Sequence, residues 1–427
     1  MKLITSVLGT ASAVAVASAV AFPTAALAQY GPTSAPQQTA VPTQASPSES
    51  KGRKLTLSPK AQKAILDLQT AVKAKNAAAI PGLLAAAQAV AKTPDDRYAI
   101  GTMQLQAAID ASDYPALVAA ADVIMANGGT AAEAGKIYLF AAQHLAAAKQ
   151  YAPAATALDR LVAVDPNNSD ALLLRSEMLF QQQRVPESIA SLTSAIDKAK
   201  AAHQTVPENW YQVRLGRAYN AKLPSAYGFS RDWVAAYPSP VHWRDTINIY
   251  RNLSGQNRQQ LIDMLRLARA TKSLSGEADY TVWAQSLSDH GYPAEALALV
   301  QEGEAAGALK LTSPGIAPFV ASVRRRAPEE KAALLITSKA ALSDPTAKSA
   351  MRAGDGYFDA GDYAQAATLY RAAIGKTGVD KDLANLRLGM ALAMSGDKAG
   401  ATAALQSVGG AQAEVAKYWL TYVATRA

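Results

Sequence analysis

The sequence predicts an all-α chain built from stacked helical hairpins, on three observations. A turn-and-helix signature recurs: Gly361-Asp362-Tyr363-Ala364-Gln365-Ala366-Ala367 is echoed by Lys149-Gln150-Tyr151-Ala152-Pro153-Ala154 and by Gly291-Tyr292-Pro293-Ala294-Glu295-Ala296. The apolar residues are mostly Ala and Leu, both strong helix formers, while aromatic residues make up only 7% of the chain. Repetition with a period of roughly 34 residues marks units that bury their faces against neighbours, so no single closed core is expected. Strand-like Val/Ile runs between Gly-rich turns are missing from the sequence.

Residues 1–28 have the form of a signal peptide. Met1-Lys2 is a positive start, residues 3–22 carry no charge, and Ala26-Leu27-Ala28 fits a cleavage site before Gln29. About 20 uncharged residues would also suit a retained anchor. Against that, the run is diluted by Ala, Ser, Thr and Gly and lacks a basic stop-transfer flank. Export to the periplasm or beyond is the expectation, and nothing after the leader is apolar enough to cross a membrane. The chain has no Cys, which excludes a lipid-anchored lipoprotein, disulfides, thiolate metal sites and Cys nucleophiles. Losing Lys2 with the leader would leave 41 basic against 34 acidic residues, a net +7. That surplus favours acidic proteins or an anionic cell-envelope polymer. A nucleic-acid partner would call for denser basic patches and a binding module, which are lacking.

Residues 29–58 hold Pro32, Pro36, Pro42 and Pro47 among Gln, Ser and Thr, the composition of a disordered linker. Lys51-Gly52-Arg53-Lys54 closes it as a solvated charge run. Residues 59–206 should form hairpins, at 59–91, 95–126, 130–164 and 169–201. Ser58-Pro59 reads as a helix start, and Asp165-Pro166-Asn167-Asn168-Ser169 as a stop and restart. Residues 207–309 form an aromatic-rich, degenerate middle. Nine of the chain's 28 aromatics fall in 207–251, interleaved with Arg214, Arg217, Arg231, Arg244 and Arg251. Residues 310–427 return to regular hairpins: Gly354, Tyr357, Gly361, Ala366, Tyr370 and Ala373 map, 35 residues on, to Gly389, Leu392, Gly396, Ala401, Leu405 and Val408. A helix over 412–425 should cap the stack, with Trp419 and Tyr422 inward and its other face polar.

These residues resemble the tetratricopeptide repeat family. Residues 347–380 carry Gly354, Tyr357, Gly361-Asp362-Tyr363, Ala366, Tyr370 and Ala373; residues 135–168 carry Tyr138, Tyr151, Ala154, Leu158 and Asp165-Pro166. Residues 277–309 match more loosely, through Tyr280, Gly291, Ala296 and Val300. The resemblance implies a right-handed α-superhelical solenoid that binds proteins without catalysing a reaction. In such repeats the second, fifth, sixth, ninth and twelfth places of the first helix line a concave groove. Arg214, Arg217, Lys348, Arg352 and Arg387 take such places, and Lys348/Arg352 is similar to half of the carboxylate clamp of chaperone-binding members.

Catalytic and cofactor signatures do not emerge. His144, His203, His242 and His290 have no metal-ligand spacing, and no nucleophile elbow, phosphate loop or dinucleotide fingerprint occurs. No catalytic residue, metal or cofactor is therefore expected. Asp355 and Asp359 share a helix face and read as part of a solvated, polar groove. Arg324-Arg325-Arg326 reads as a helix end before Ala327-Pro328, its charge complementing the helix dipole. Binding candidates are Trp210, Arg214, Arg217, Trp233, Trp243, Arg244, Lys348, Arg352 and Arg387.

The expected function is a periplasmic, non-enzymatic scaffold for an envelope or export assembly, holding a protein or peptide segment. A second reading is a peptidoglycan- or glycan-binding protein, or a hydrolase module in the middle, with sugars stacked on Trp and Tyr. A third is self-assembly through the solenoid ends. Exposure of Trp210, Trp233 and Trp243 separates a binding surface from rings that fill a junction.

Overall fold

The computed structural model describes residues 55–255 and 257–426; the expected leader and most of the expected linker lie outside them. The described residues form twenty α-helices with no strand, apart from one isolated bridge between Thr346 and Thr377. They divide into two compact units between Trp210 and Tyr211.

The first unit is four hairpins: α1 (Pro59–Lys73) with α2 (Ile80–Val90), α3 (Pro94–Ala111) with α4 (Tyr114–Ala126), α5 (Ala131–Ala147) with α6 (Tyr151–Val164), and α7 (Ser169–Gln181) with α8 (Val185–Ala201). The pattern of small and apolar residues placed them within a few positions. Helix starts follow capping chemistry: Thr93 and Thr130 form reciprocal capping boxes with Asp96 and Glu133, and Asp113 and Asn168 cap through their side chains. Ser58 precedes α1 but turns its hydroxyl to Asp96, donating to Oδ2 at 2.8 Å. Between paired helices the chain turns through a left-handed residue. Lys149 takes this role with φ +59° where the equivalent Gly361 has +79°, a conformation that costs a side-chain-bearing residue about 1 kcal/mol.

The second unit opens in α9 (Glu208–Asn220), within which the division falls, and continues with α10 (Ser225–Ala236), α11 (Pro240–Leu253) and α12 (Arg258–Ala270). Hairpin α13 (Gly276–Asp289) with α14 (Pro293–Ala305) comes next, then the long α15 (Ala317–Ser343). Regular hairpins follow: α16 (Ala347–Asp359) with α17 (Tyr363–Ile374), and α18 (Lys381–Ser395) with α19 (Lys398–Gln406). The last helix is α20 (Ala413–Thr425). Glycine lets the paired helices close up: a Cβ on Gly354 would lie 2.7 Å from the Tyr370 ring, and one on Gly389 2.5 Å from Leu405.

Two sequence expectations are corrected in this unit. Helix α15 does not end at Arg326 but runs through Pro328. An interior proline costs a hydrogen bond and crowds the carbonyl four residues back. Packing against α14 and α16 on either side holds the helix through it, and Arg326 donates to the hydroxyl of Ser288 at 3.0 Å and to its carbonyl at 3.3 Å. Helix α20 buries Trp419 and Tyr422 as expected, but it is no end cap with a polar outer face. Val415, Tyr418 and Val423 are buried too, and the helix packs on α10, α12, α18 and α19. Trp419 Nε1 donates to the Asp263 carbonyl at 3.2 Å. One apolar cluster of this unit joins Val234, Trp243, Ile247 and Tyr250 of α10 and α11 to residues of α16–α20.

Candidate interaction surface

Most of the aromatic and arginine candidates are packing residues. Trp233 and Trp243 are each only 4% exposed. Trp233 stacks on His242 with ring centroids 4.4 Å apart, and Trp243 meets Tyr422 edge-on. Arg214 is buried beneath the Phe229 ring, 4.2 Å from its centroid, and pairs with Asp232 at 2.8 Å. Arg217 and Arg387 are also buried, while Trp210 and Arg244 are half-buried. Only Lys348 and Arg352 of the nine are exposed. Rings committed to a core cannot stack on a sugar, so Trp233 and Trp243 give no support to glycan binding.

Part of the register that would line a groove in the second unit is filled by the chain itself. In α16 and α18 Asp355, Phe358, Leu386, Arg387, Met390 and Ala393 are buried, while Lys348 and Arg352 at the start of α16 stay exposed. Helix α12 reaches Phe358 and Arg387 among them. Its Arg266 bonds Asp359 at 2.7 Å and lies over the Phe358 ring at 4.8 Å and the Tyr292 ring at 5.3 Å. Its Asp263 faces Arg387 Nε at 3.9 Å. Every residue from Ile262 to Ala268 is buried. Ile262 and Leu265 join the core of α13–α15, and Met264, Leu267 and Ala268 the core of α16–α20. A helix apolar all round belongs inside a protein, and opposite charges three residues apart in such a run were the overlooked sequence signal.

Asp355 and Asp359 therefore do not belong to a solvated groove. They sit with Asp263 and Glu295 among Arg266, Arg269 and Arg387, in a network closed to water at its centre. Arg266 Nη2 serves both Glu295, at 3.2 Å, and Asp359. Two acids around one guanidinium cannot both ionise cheaply. Burial, then the neighbouring Glu295, pushes the Asp359 carboxyl well above the usual carboxylate range. Glu295 is also penalised by burial, yet Arg266 and Arg269 hold it down to about 2. Asp359 is thereby the more readily protonated acid of the Asp359/Glu295 pair. Burial raises the Asp263 carboxyl as well, and Tyr370 donates to Asp355 at 2.8 Å. Among the described residues no group of acids or histidines has metal-site geometry.

The first unit presents the same register on α5 and α7. The stripe on α5 is Lys136, Leu139, Gln143 and Ala146; on α7 it is Asp170, Leu173, Glu177 and Phe180. Leu139, Ala146, Leu173 and Phe180 are half-buried, Lys136, Gln143 and Asp170 exposed. The helices lie side by side, so the stripes make one mixed face, apolar with polar edges. Thr102, Gln106 and Ile109 on α3 are half-buried at the same register.

The model of the tetratricopeptide repeat family matches residues 139–203 and 351–413. These segments cover α5–α8 and α16–α19, the most regular hairpins of each unit. These two segments are similar to tetratricopeptide repeats. No curated protein matches it significantly. Among solved structures it is similar to a tetratricopeptide repeat protein from Parabacteroides merdae ATCC 43184, at 12% identity, with 78% of this chain and 100% of that one covered and a TM-score of 0.24. The tetratricopeptide repeat domain of P58(IPK) gives 11% identity, 85% and 97% coverage, and a TM-score of 0.20. The APC/C hetero-tetramer Cut9–Hcn1 gives 12%, 82% and 86%, and 0.18. No helix among the described residues is long and apolar enough to cross a membrane.

Proposed function

We propose that this chain is a non-enzymatic, exported scaffold that holds a segment of a partner protein on the α5/α7 face of its first unit, within an envelope assembly. One contrast carries the docking assignment. The groove register is half-exposed and apolar around Leu139 and Leu173, whereas in the second unit Asp355, Phe358, Arg387 and Met390 at that register are buried. Tetratricopeptide repeats suggest protein binding as their work, and their architecture underlies the non-enzymatic part. The leader-like residues 1–28 motivate export. Exposed Lys348 and Arg352 offer a further contact for an acidic segment.

The test is photo-cross-linking in intact cells from a probe residue placed at Leu173, with a probe at buried Met390 as control. A reproducible protein adduct from position 173, absent from position 390, is expected. Equal or no adducts from position 173 would remove the docking assignment, and recovery of the chain from the cytoplasmic fraction alone would remove export.

A further inference from the structure

Within the second unit, two sets of apolar residues meet across charge. In the first half of α15, Val320 and Val323 pack with Trp283 and Leu287 of α13 and Leu299 of α14. In its second half, Leu334 and Ala341 pack with Ala353 of α16 and Leu369 of α17. Among the described residues, none from α13 or α14 joins the apolar clusters of α16–α20. Pro328 falls between the two halves of α15, where the helix cannot form one of its own hydrogen bonds. The ties close to it are polar: Arg326 to Ser288, and Glu330 accepting from the Ala294 amide at 3.0 Å.

The same division is bridged by a shared charge. Arg266 sets one nitrogen, Nη2, on both Glu295 of α14 and Asp359 of α16. Asp359 Oδ2 is buried and meets no donor among the described residues. Two carboxylates on one guanidinium repel, so the pair is at rest only when one acid carries a proton. Burial, then Glu295, makes Asp359 its holder at pH values where an ordinary carboxyl is ionised. Around it stand Asp263, Arg266 and Arg269 on α12, Tyr292 and Glu295 on α14, Glu330 on α15, Asp355 on α16, Tyr363 and Tyr370 on α17, and Arg387 on α18. Burial keeps the tyrosines neutral and the arginines stay charged between pH 5 and 8. Burial raises Asp263 and Glu330 too, so they add in the same sense. Raising the pH thus sets a second carboxylate on Arg266.

We propose that this seam is a proton-gated hinge: loss of the shared proton lets α13, α14 and the first half of α15 swing away from α16–α20 about Pro328.

The test is pulsed electron spin resonance on the full-length chain, which has no cysteine of its own. Nitroxides go on Val282→Cys in α13, at 62% exposed, and on Thr368→Cys in α17, also exposed. A single short distance is expected at pH 5, and a longer component at least threefold more populated at pH 8, reversed on return to pH 5. Asp359→Asn should keep the short distance at both pH values. Pro328→Ala should at least halve the longer component at pH 8. Circular dichroism at each pH and for each variant checks that the helices persist. Identical distances at pH 5 and 8, or the same pH response in Asp359→Asn, would overturn the gate. An unchanged longer component in Pro328→Ala would overturn the hinge, and helix loss accompanying the longer distance would show unfolding in its place.

Discussion

Replacing Arg266 with Met should cripple the second unit, and its neighbours allow the reasoning to be checked step by step. Arg266 is 1% exposed and bonds three carboxyl groups, at 2.7 Å to Asp359, 3.2 Å to Glu295 and 3.4 Å to Asp263. Methionine fills a similar volume between the Phe358 and Tyr292 rings, so little cavity cost is expected. What is lost is the counter-charge. Breaking a buried pair by removing one partner costs roughly 3–5 kcal/mol, and Glu295 retains only Arg269. Glu295→Gln removes the acid that neutralises two guanidiniums and should cost about 3 kcal/mol. Asp359→Asn substitutes an isostere for a carboxyl that already holds its proton, and should cost about 1 kcal/mol or less. Four of the five tryptophans lie in the second unit, so fluorescence during urea titration reports mainly on it. The expected order of loss is Arg266→Met, then Glu295→Gln, then Asp359→Asn. If Asp359→Asn costs as much as Glu295→Gln, the proton has been put on the wrong acid.

The pH dependence follows from the same proton. Asp359 is raised from an ordinary value of 3.8, so above that value the folded state holds a proton the unfolded chain releases, and stability falls as pH rises toward the folded value. The slope is at most about 1.4 kcal/mol per pH unit. Asp263 is raised and adds in the same sense; Glu295, depressed from 4.5 to about 2, contributes stability that is lost only as pH falls through that interval. Urea midpoints between pH 5 and 8 should decline in the parent chain and decline less in Asp359→Asn; parallel slopes would contradict this. Gly354→Ala should destabilise by about 1–3 kcal/mol, because its Cβ would meet the Tyr370 ring at 2.7 Å; an unchanged melting temperature would show that α16 and α17 can part. Asp96 is fully buried and accepts from the backbone of Ser58, Lys92 and Thr93. Although burial opposes it, these bonds hold its carboxylate well below the usual range. Asp96→Ala should therefore cost about 3 kcal/mol and speed proteolysis near residues 55–58; unchanged cleavage would rule out that anchor.

Local chemistry made the hairpins legible, and tertiary competition hid the rest. Ala154 and Leu158, or Ala366 and Tyr370, are buried because each hairpin packs on its neighbour, so spacing alone revealed them. Pro328 reads as a stop because the penalty is local, while the compensation comes from α14 and α16, which no window around residue 328 contains. Trp233, Trp243 and Arg214 drew attention as binding residues through their density. Density cannot separate a hot spot from a core, since desolvated aromatics serve both.

The misreading of Asp355, Asp359 and Arg387 has a different cause. Their register is that of a groove, and such a groove is solvated only if nothing lies in it. Residues 261–270 (Leu-Ile-Asp-Met-Leu-Arg-Leu-Ala-Arg-Ala) are apolar on every face save for Asp263, Arg266 and Arg269, so they must lie inside something, and their charges must meet charges there. The only first-helix register in this unit with an acid pair one turn apart and an arginine on the next hairpin is Asp355, Asp359 and Arg387. Buried ions are costly unless matched, so these charges constrain which helix enters which groove more sharply than leucine and alanine can.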